Sequence, residues 1–450
     1  MSMSRRKFLG SSAAAVIVAG TMAKGKVFGA NEKVRVACIG FNGRGKDHVK
    51  NFGTVIPESE VVALCDVDKT VLDGMAALMK EKTGKEPAKF ADGREMVLRD
   101  DIDAISIATP NFSHTFFAVL GCLNKKDVYV EKPICHTVWE GQQIAAAAKK
   151  YERIVQHGTQ SRSDTKWLAA MQMMRDGAIG EIHTARGLGY KNGNRGSLGF
   201  KENGTPPPNL DWNLWQGPTL EGPYNPNYHP YNWHWFWKYG NGEIGNQGVH
   251  QMDIAVWGMN KGLPVKVYSG GGRYTYKDMG ETPNTNTAIF TYADGTELIF
   301  DVRNRFTNRE GGKIVGGKVE EGGKITGDAK FMEAPGTGNI FYGDKGYYIE
   351  DVGFYDVDDN RMEKQVDVQP GPTHMANFIK AVKSRKPEDN MASAEVAHRS
   401  CVHIHIANIS YRLGRSLKFD PETLKFVGDD EANAMLTKEY RKGFEVPQIA

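Results

Sequence analysis

Cysteine is scarce in this sequence and carries no pattern. Five stand among 450 residues, at 38, 65, 122, 135 and 401. The number is odd and no two are spaced as a metal knuckle, which excludes a disulfide framework or a zinc motif as the organising device. Cys38 and Cys65 lie inside apolar runs, where a free thiol behaves as a small hydrophobe. A disulfide-poor chain of this kind is suited to folding in a reducing compartment. An excess of charge of one sign is also missing. Lys and Arg number 57 against 54 Asp and Glu, a net charge of +3 spread along the chain, so nothing electrostatic points to nucleic acid. No apolar run approaches the roughly 20 residues of a spanning helix. Repeats, low-complexity segments and a metal-ligand set are lacking, and His403 and His405 read as helix or core residues.

What is present starts with "SRRKFLGSSAAAVIVAG". Arg5 and Arg6 precede an apolar run from Ala13 to Ala19, and small residues follow near Ala23 or Ala30. A positive start, a short apolar middle and a small-residue exit make a signal peptide over 1–30, and the paired arginines resemble a twin-arginine signal. The expected product is exported, to the periplasm or beyond, with no stable membrane span after processing. That route carries folded cargo, which agrees with the cysteine usage. The plainer alternative is a basic N-terminus followed by an apolar helix.

Strands and helices then alternate over about 120 residues, the pattern of a parallel sheet covered on both faces. Strand patterns fall at 34–39, 60–68, 101–110, 127–133 and 154–160, and helical ones at 70–84, 113–126 and 138–152. The character changes after residue 158. Residues 187–240 are rich in Gly, Pro, Asn and Trp and read as long loops. "TAIFTYADGTELIFDVRNR" reads as two strands joined at Asp294-Gly295, a hairpin signal, and the glycine-rich stretch 311–337 suggests further hairpins. Helices are expected over 373–386 and 393–415. The fold class is therefore α/β: a parallel sheet covered by helices over 31–157, then an α+β domain over 158–450 with a mostly antiparallel sheet.

"GFNGRG" lies between the first strand and its helix. A nucleotide turn needs glycine for a tight bend, for close approach of pyrophosphate, and for helix–strand packing. Gly40 and Gly45 fill the first and third places; Asn42, beside Gly43 and Arg44, stands at the second, and Asn tolerates left-handed angles. Asp66 ends the next strand, where an acid accepts the ribose hydroxyls and repels a 2′-phosphate. That points to NAD rather than NADP. The alternative is an ordinary glycine turn.

Together with "VEKPI" (130–134) and "ATPNFSH" (108–114), this turn resembles the Gfo/Idh/MocA oxidoreductase family, and the likeness extends through "GTQSR" (158–162) and "GNQGVHQMDIAVW" (245–257). The resemblance implies that Thr109, Pro110, Asn111, His114, Glu131, Lys132 and Gln160 line the cofactor cleft. It also implies that residues 31–157 form a dinucleotide-binding Rossmann domain, followed by an α+β domain with a large, mostly antiparallel open sheet, that Lys132 sits near the nicotinamide and the reacting hydroxyl, and that the open sheet serves a homodimer or homotetramer.

The chemistry is legible apart from the family. Oxidising an alcohol needs a hydride acceptor and a base at the hydroxyl. Lys132 can be that base if desolvation lowers its pKa; the alternative is an anchor for ribose or substrate. His250 is the second catalytic candidate, three residues before Asp253 and so on the same helical face, where the acid can orient the imidazole; the alternative is a structural histidine. Many family dehydrogenases carry Asp where this chain has Asn246, which cannot take a proton. Five of the eight tryptophans fall between 212 and 237. Interleaved with Asn, His and Asp they suit a sugar, or else form a small core that stiffens the loop. Trp233, His234 and Trp235 are the expected substrate contacts, with Asn246, His250 and, near the cleft entrance, Arg162.

The expected activity is oxidation or reduction of a sugar CH–OH by an enzyme exported with tightly bound NAD. Two alternatives stand beside it. One is NAD-dependent glycoside hydrolysis through transient oxidation; the other is a nucleotide- and sugar-binding sensor without turnover.

Overall fold

The computed structural model describes residues 28–29, 31–190, 196–274, 276–303, 313–315, 318–319, 325–326, 330–332, 337–362, 366 and 368–450. The export segment, including Arg5, Arg6 and the apolar run, lies outside the described residues.

Six strands form the first sheet: β1 (Val34–Ile39), β2 (Ser59–Cys65), β3 (Ala88–Phe90), β4 (Ala104–Ile107), β5 (Asp127–Val130) and β6 (Val155–His157). All pair in parallel, in the order β3-β2-β1-β4-β5-β6. β4 and β5 are buried at every position, as strands covered on both faces must be, and this is why they read as continuous apolar runs. The helices between are α1 (Gly45–Lys50), α2 (Lys69–Thr83), α3 (Gly93–Met96), α4 (His114–Leu123) and α5 (Val138–Lys150). α2 shows how the sequence sets its limits. The Asp68 carboxylate accepts from the N–H groups of Thr70 and Val71, and Gly84 at φ 73° closes the other end, the N-cap and left-handed C-cap that stop a helix. Strand order reverses between β1 and β4. Their carboxyl ends therefore diverge and open a crevice, the switch point where open α/β sheets bind ligands.

The second domain follows α6 (Thr165–Arg175) and begins with β7 (Ile182–Tyr190). α7 (Trp212–Gln216), α8 (Gly242–Asn246) and α9 (Gly248–Met259) lead to β8 (Lys266–Gly272), β9 (Thr285–Thr291) and β10 (Glu297–Arg303). β9 and β10 pair antiparallel across the Asp294-Gly295 turn, as the sequence suggests, with Gly295 at φ 83°. The glycine-rich stretch carries two nested antiparallel ladders. β11 (Lys313–Val315) pairs with β14 (Lys330–Met332), and β12 (Lys318–Val319) with β13 (Ile325–Thr326). β15 (Thr337–Gly343), β16 (Gly346–Ile349) and β17 (Gly353–Asp356) follow, then α10 (His374–Ser384), α11 (Ala394–Leu413), β18 (Leu417–Asp420), β19 (Lys425–Phe426) and α12 (Asp430–Ala434).

Nine strands make the large sheet, in the order β17-β16-β15-β7-β10-β9-β8-β18-β19. It is antiparallel apart from the β7–β10 pair, which is parallel. α9 and α11 cover its inner face. α9 presses closely: a Cβ at Gly258 would stand 2.3 Å from the Phe341 ring of β15. Every residue of α11 from Ser400 to Ser410 is buried, because α11 lies between the sheet and α5. One apolar cluster runs through Ile105 and Val128 of the first sheet to Met252, Phe300 and Phe341 of the second domain. Burial of each such side chain contributes about 1.5–3 kcal/mol, so the two sheets hold the crevice between them firmly. β3 and the arm after α11 escape the sequence reading. Both consist of strands of two to four residues, too short to show a period.

Candidate active site

A cleft of about 570 Å³ opens at the carboxyl ends of β1, β4 and β5 and is closed on its far side by the tryptophan loop. The turn after β1 is shaped by contact. Gly40 has φ 74°, and a Cβ there would meet Thr109 at 2.9 Å. A Cβ on Gly45 would stand 2.0 Å from the Gly40 carbonyl oxygen, so Gly45 serves helix–strand packing and does not line the cleft. A Cβ on Gly43 would meet nothing within 4 Å. Asn42, Gly43 and Arg44 thus leave an open cradle at the cleft edge, next to the helix that follows. Asp66 is buried at the other edge. Its carboxylate accepts from the backbone N–H of Phe41 at 2.9 Å and of Asp68 at 3.0 Å. Each oxygen keeps a second acceptor site. Burial pushes this carboxyl above its ordinary range, and the backbone N–H groups pull against that. A glycine cradle at one edge and an acceptor acid at the other fit a dinucleotide, the cradle receiving its pyrophosphate and Asp66 its adenosine ribose.

Glu131 joins the two halves of the floor. Oε1 accepts from His48 Nε2 at 3.0 Å, Arg44 Nε at 3.3 Å and Gln160 Nε2 at 3.3 Å. Burial opposes its ionisation, but the His48 hydrogen bond and the charges of Arg44 and Lys132 hold the carboxyl well below the usual carboxylate range. His48 in turn meets Ser106 Oγ at 2.6 Å, and Gln160 donates to the Tyr129 hydroxyl at 3.2 Å. His114 spans the Thr109 and Pro133 carbonyls at 2.7 Å each, tying the ends of β4 and β5 together. Burial pushes its pKa down.

Lys132 reaches across to the second domain. Its Nζ donates to the Asn246 carbonyl at 2.6 Å and lies 3.2 Å from Asn246 Oδ1. Asn246 Nδ2 donates to Glu243 Oε2 at 3.3 Å. An amide can turn either its oxygen or its nitrogen to a neighbour; the Glu243 carboxylate fixes the nitrogen and so aims the oxygen at Lys132. His250 lines the same wall, and among the described residues its imidazole has no hydrogen-bond partner. Burial, then the Lys132 charge, push its pKa down to about 4, so the ring is neutral at pH 7.

Four expectations need correction. Asp253 does not orient His250: its carboxylate is held by Arg162 at 2.7 and 2.9 Å and by Ser400 at 2.7 Å. Arg162 is therefore buried beneath the floor, over the Trp257 ring, and not at the cleft entrance. Asn111 points away from the cleft and donates to Asn241 Oδ1 at 2.7 Å. Trp235 is buried against Tyr231 and His234, while Trp233 and His234 do line the cleft, their rings stacked at 3.6 Å. The small-core reading holds for Trp212 and Trp215, which stack at 4.6 Å and pack with Phe112 and Tyr239. Sequence reasoning missed His48, Ser106, Tyr129, Glu243 and also His229, which lines the cleft beside the tryptophan loop. His48 and Glu243 left a signal, His48 standing one helical turn after Arg44 and Glu243 one before Asn246, and so each on the same face as its neighbour. Among the described residues no group of three or more His, Cys, Asp or Glu is arranged to hold a metal, and no helix is long and apolar enough to cross a membrane.

Sheet order, glycine turn and cleft define a dinucleotide-binding protein with a second, sheet-based domain. Residues 34–159 match the NAD-binding Rossmann fold of an oxidoreductase family, and 173–326 and 306–446 match its C-terminal alpha/beta domain. The chain belongs to the Gfo/Idh/MocA family. It is 31% identical over 161 residues to an inositol 2-dehydrogenase of Rubrobacter xylanophilus, covering 35% of this chain and 44% of the relative. It is 29% identical over 208 residues to a glycosyl hydrolase family 109 protein of Shewanella pealeana, covering 40% and 45%. The chain thus spans less than half the length of these two relatives. Among solved structures, the WlbA dehydrogenase from Bordetella pertussis, in complex with NADH and UDP-GlcNAcA, superposes with a TM-score of 0.61 at 17% identity over 86% of this chain and 99% of that one. Apo scyllo-inositol dehydrogenase from Lactobacillus casei gives 0.57 at 16% over 86% and 98%. Both share the fold.

Proposed function

We propose that this chain is an NAD-dependent oxidoreductase acting on a CH–OH group of a sugar or sugar derivative. The observation that carries this is a neutral imidazole, His250, on one cleft wall beside an ammonium, Lys132, whose Nζ is held by Asn246 at 2.6 Å. Bound NAD supplies a hydride acceptor for the carbon that carries the hydroxyl. His250 takes the hydroxyl proton, since a neutral ring has an acceptor nitrogen. Lys132 turns one N–H to the hydroxyl oxygen and stabilises the charge that develops as the proton leaves. This exchanges the roles expected from sequence: Lys132 held by two Asn246 oxygens is better suited to stay charged than to act as base. Trp233 and His234 offer a flat aromatic wall for the sugar ring.

A second reading is favoured by Asn246 and by the family 109 relatives. With Asp253 held by Arg162 and Ser400 and an amide at 246, no carboxylate takes the proton on from His250, so it stays on the ring and serves a reverse transfer, as a redox-neutral glycoside hydrolysis requires. A panel of free sugars and aryl glycosides separates the two. A dehydrogenase leaves bound NADH in proportion to product; the hydrolase releases aglycone with no net change in cofactor. A nucleotide-binding sensor gives neither.

Export folded and loaded, through the twin-arginine route, belongs to the same proposal. It rests on Arg5 and Arg6 and on the absence of any need for disulfides. Lys at both positions is expected to leave folded, NAD-bound protein in the cytoplasm; continued export overturns it. Assembly as a homodimer or homotetramer through the large sheet completes the proposal, and sedimentation reads it directly.

A further inference from the structure

A second cavity, of about 430 Å³, lies behind the cleft and shares no residue with it. Its walls come from the loop after β5 (His136), the tryptophan loop (Trp237, Lys238), α11 (Arg412) and the C-terminal arm (Met435, Lys438). Three cations face it. Lys438 is fixed: Nζ pairs with the fully buried Glu140 at 2.7 Å, meets His136 Nδ1 at 3.1 Å and donates to the Phe112 carbonyl at 3.2 Å. Lys238 and Arg412 are different. Neither has a hydrogen-bond acceptor or ion-pair partner among the described residues, and each is braced only by a ring. Lys238 stands 5.2 Å from the Tyr239 centroid and Arg412 5.2 Å from that of Trp237. Lys238 is half-buried and Arg412 exposed; burial pushes both below their ordinary pKa, and at Arg412 the charge of Glu281 pulls against it. The acid on the rim, Glu439, is exposed. Trp237, Leu220, Ile409 and Met435 add apolar wall.

We propose that this cavity is a second ligand site, for a small organic or inorganic anion, a carboxylate or a phosphate, held between Lys238 and Arg412. The guanidinium fork of Arg412 matches two oxygens of either group. Lys238 supplies a second, compact charge on the same cavity wall, and Trp237 gives a carbon skeleton a flat surface to lie on. The site does not depend on the activity proposed above.

The test is calorimetric titration of the full chain, saturated with NAD so that the cleft's own phosphate cradle is filled. Inorganic phosphate and gluconate are the two probes, and they distinguish the sources. The expected result is saturable, salt-sensitive binding of at least one of them. In the double variant Lys238→Gln/Arg412→Gln, affinity falls by about tenfold or more, as the loss of two charge-assisted hydrogen bonds requires, while NAD affinity is unchanged. Absence of binding by both probes overturns the proposal, as does binding that the double variant leaves intact.

Discussion

At position 250 an imidazole is kept neutral by burial and by the Lys132 charge, with its pKa near 4. If it is the base, kcat/KM for sugar oxidation falls on the acid side with a midpoint near pH 4, not near the 6.5 of a free histidine. His250→Ala is expected to remove that limb and cost about 10²- to 10⁴-fold; a midpoint that persists near 4 in the variant assigns it to another group. Asn246 explains itself through its neighbour. An Asp there would place a second carboxylate beside Glu243, and two such groups so close share one proton. Asn246→Asp is therefore expected to add an ionisation above the usual carboxylate range to the pH profile and to leave kcat no higher. A gain in kcat at pH 7 would contradict this. Lys132, Asp66 and His250 were legible in the sequence because each ends a strand or starts a helix beside a recognisable motif. The groups that position them were not. Glu131 meets His48 across 83 residues, and Arg162 meets Asp253 across 91, and nothing local to either member announces its partner. Asp253 misled for the same reason: spacing puts it on the His250 face, but only the tertiary fold delivers Arg162 to claim it.

The elements carry the site by their ends. The parallel strands were readable from composition because burial on both faces leaves them mostly apolar; their order was not, since it is set by pairings between distant segments. β7 and β10 were less readable, since a parallel pair inside an otherwise antiparallel sheet depends on a connection far longer than any hairpin. The turn itself makes a test. Gly45→Ala drives a methyl to 2.0 Å from a backbone oxygen and is expected to lower Tm and abolish NAD binding together. Gly43→Ala meets no protein atom within 4 Å, so Tm holds to within about 0.5 kcal/mol of stability. If Gly43 cradles pyrophosphate, NAD affinity falls nonetheless. Unchanged affinity in Gly43→Ala would place the pyrophosphate elsewhere. The tryptophan loop divides along the same lines: Trp212 and Trp215 build a small core, and Trp233 with His234 present the surface that remains.

The whole molecule buries imidazoles in unusual depth. Burial pushes His157 and His405 down to about 3 and His403 to about 4. In each the folded pKa lies below the unfolded value near 6.5. The unfolded chain therefore binds more protons between these values. The stability from keeping the rings neutral is fully present above pH 6.5 and is lost as pH falls toward 4 and 3. Each ring contributes up to about 1.4 kcal/mol per pH unit across that window. Tm is thus expected to drop steeply below pH 6.5, and His403→Gln to flatten the drop; a Tm independent of pH from 7 to about 4.5 would contradict the linkage. The central claim, that Lys132 and His250 act together on a sugar hydroxyl beside bound NAD, is tested most directly by single-turnover reduction of the cofactor in the NAD-loaded chain. The account predicts that the sugar giving the fastest bound-NADH signal in the native protein gives a signal at least about 10²-fold slower in Lys132→Ala and in His250→Ala, with NAD still bound in both. Native-like rates in both variants would contradict it.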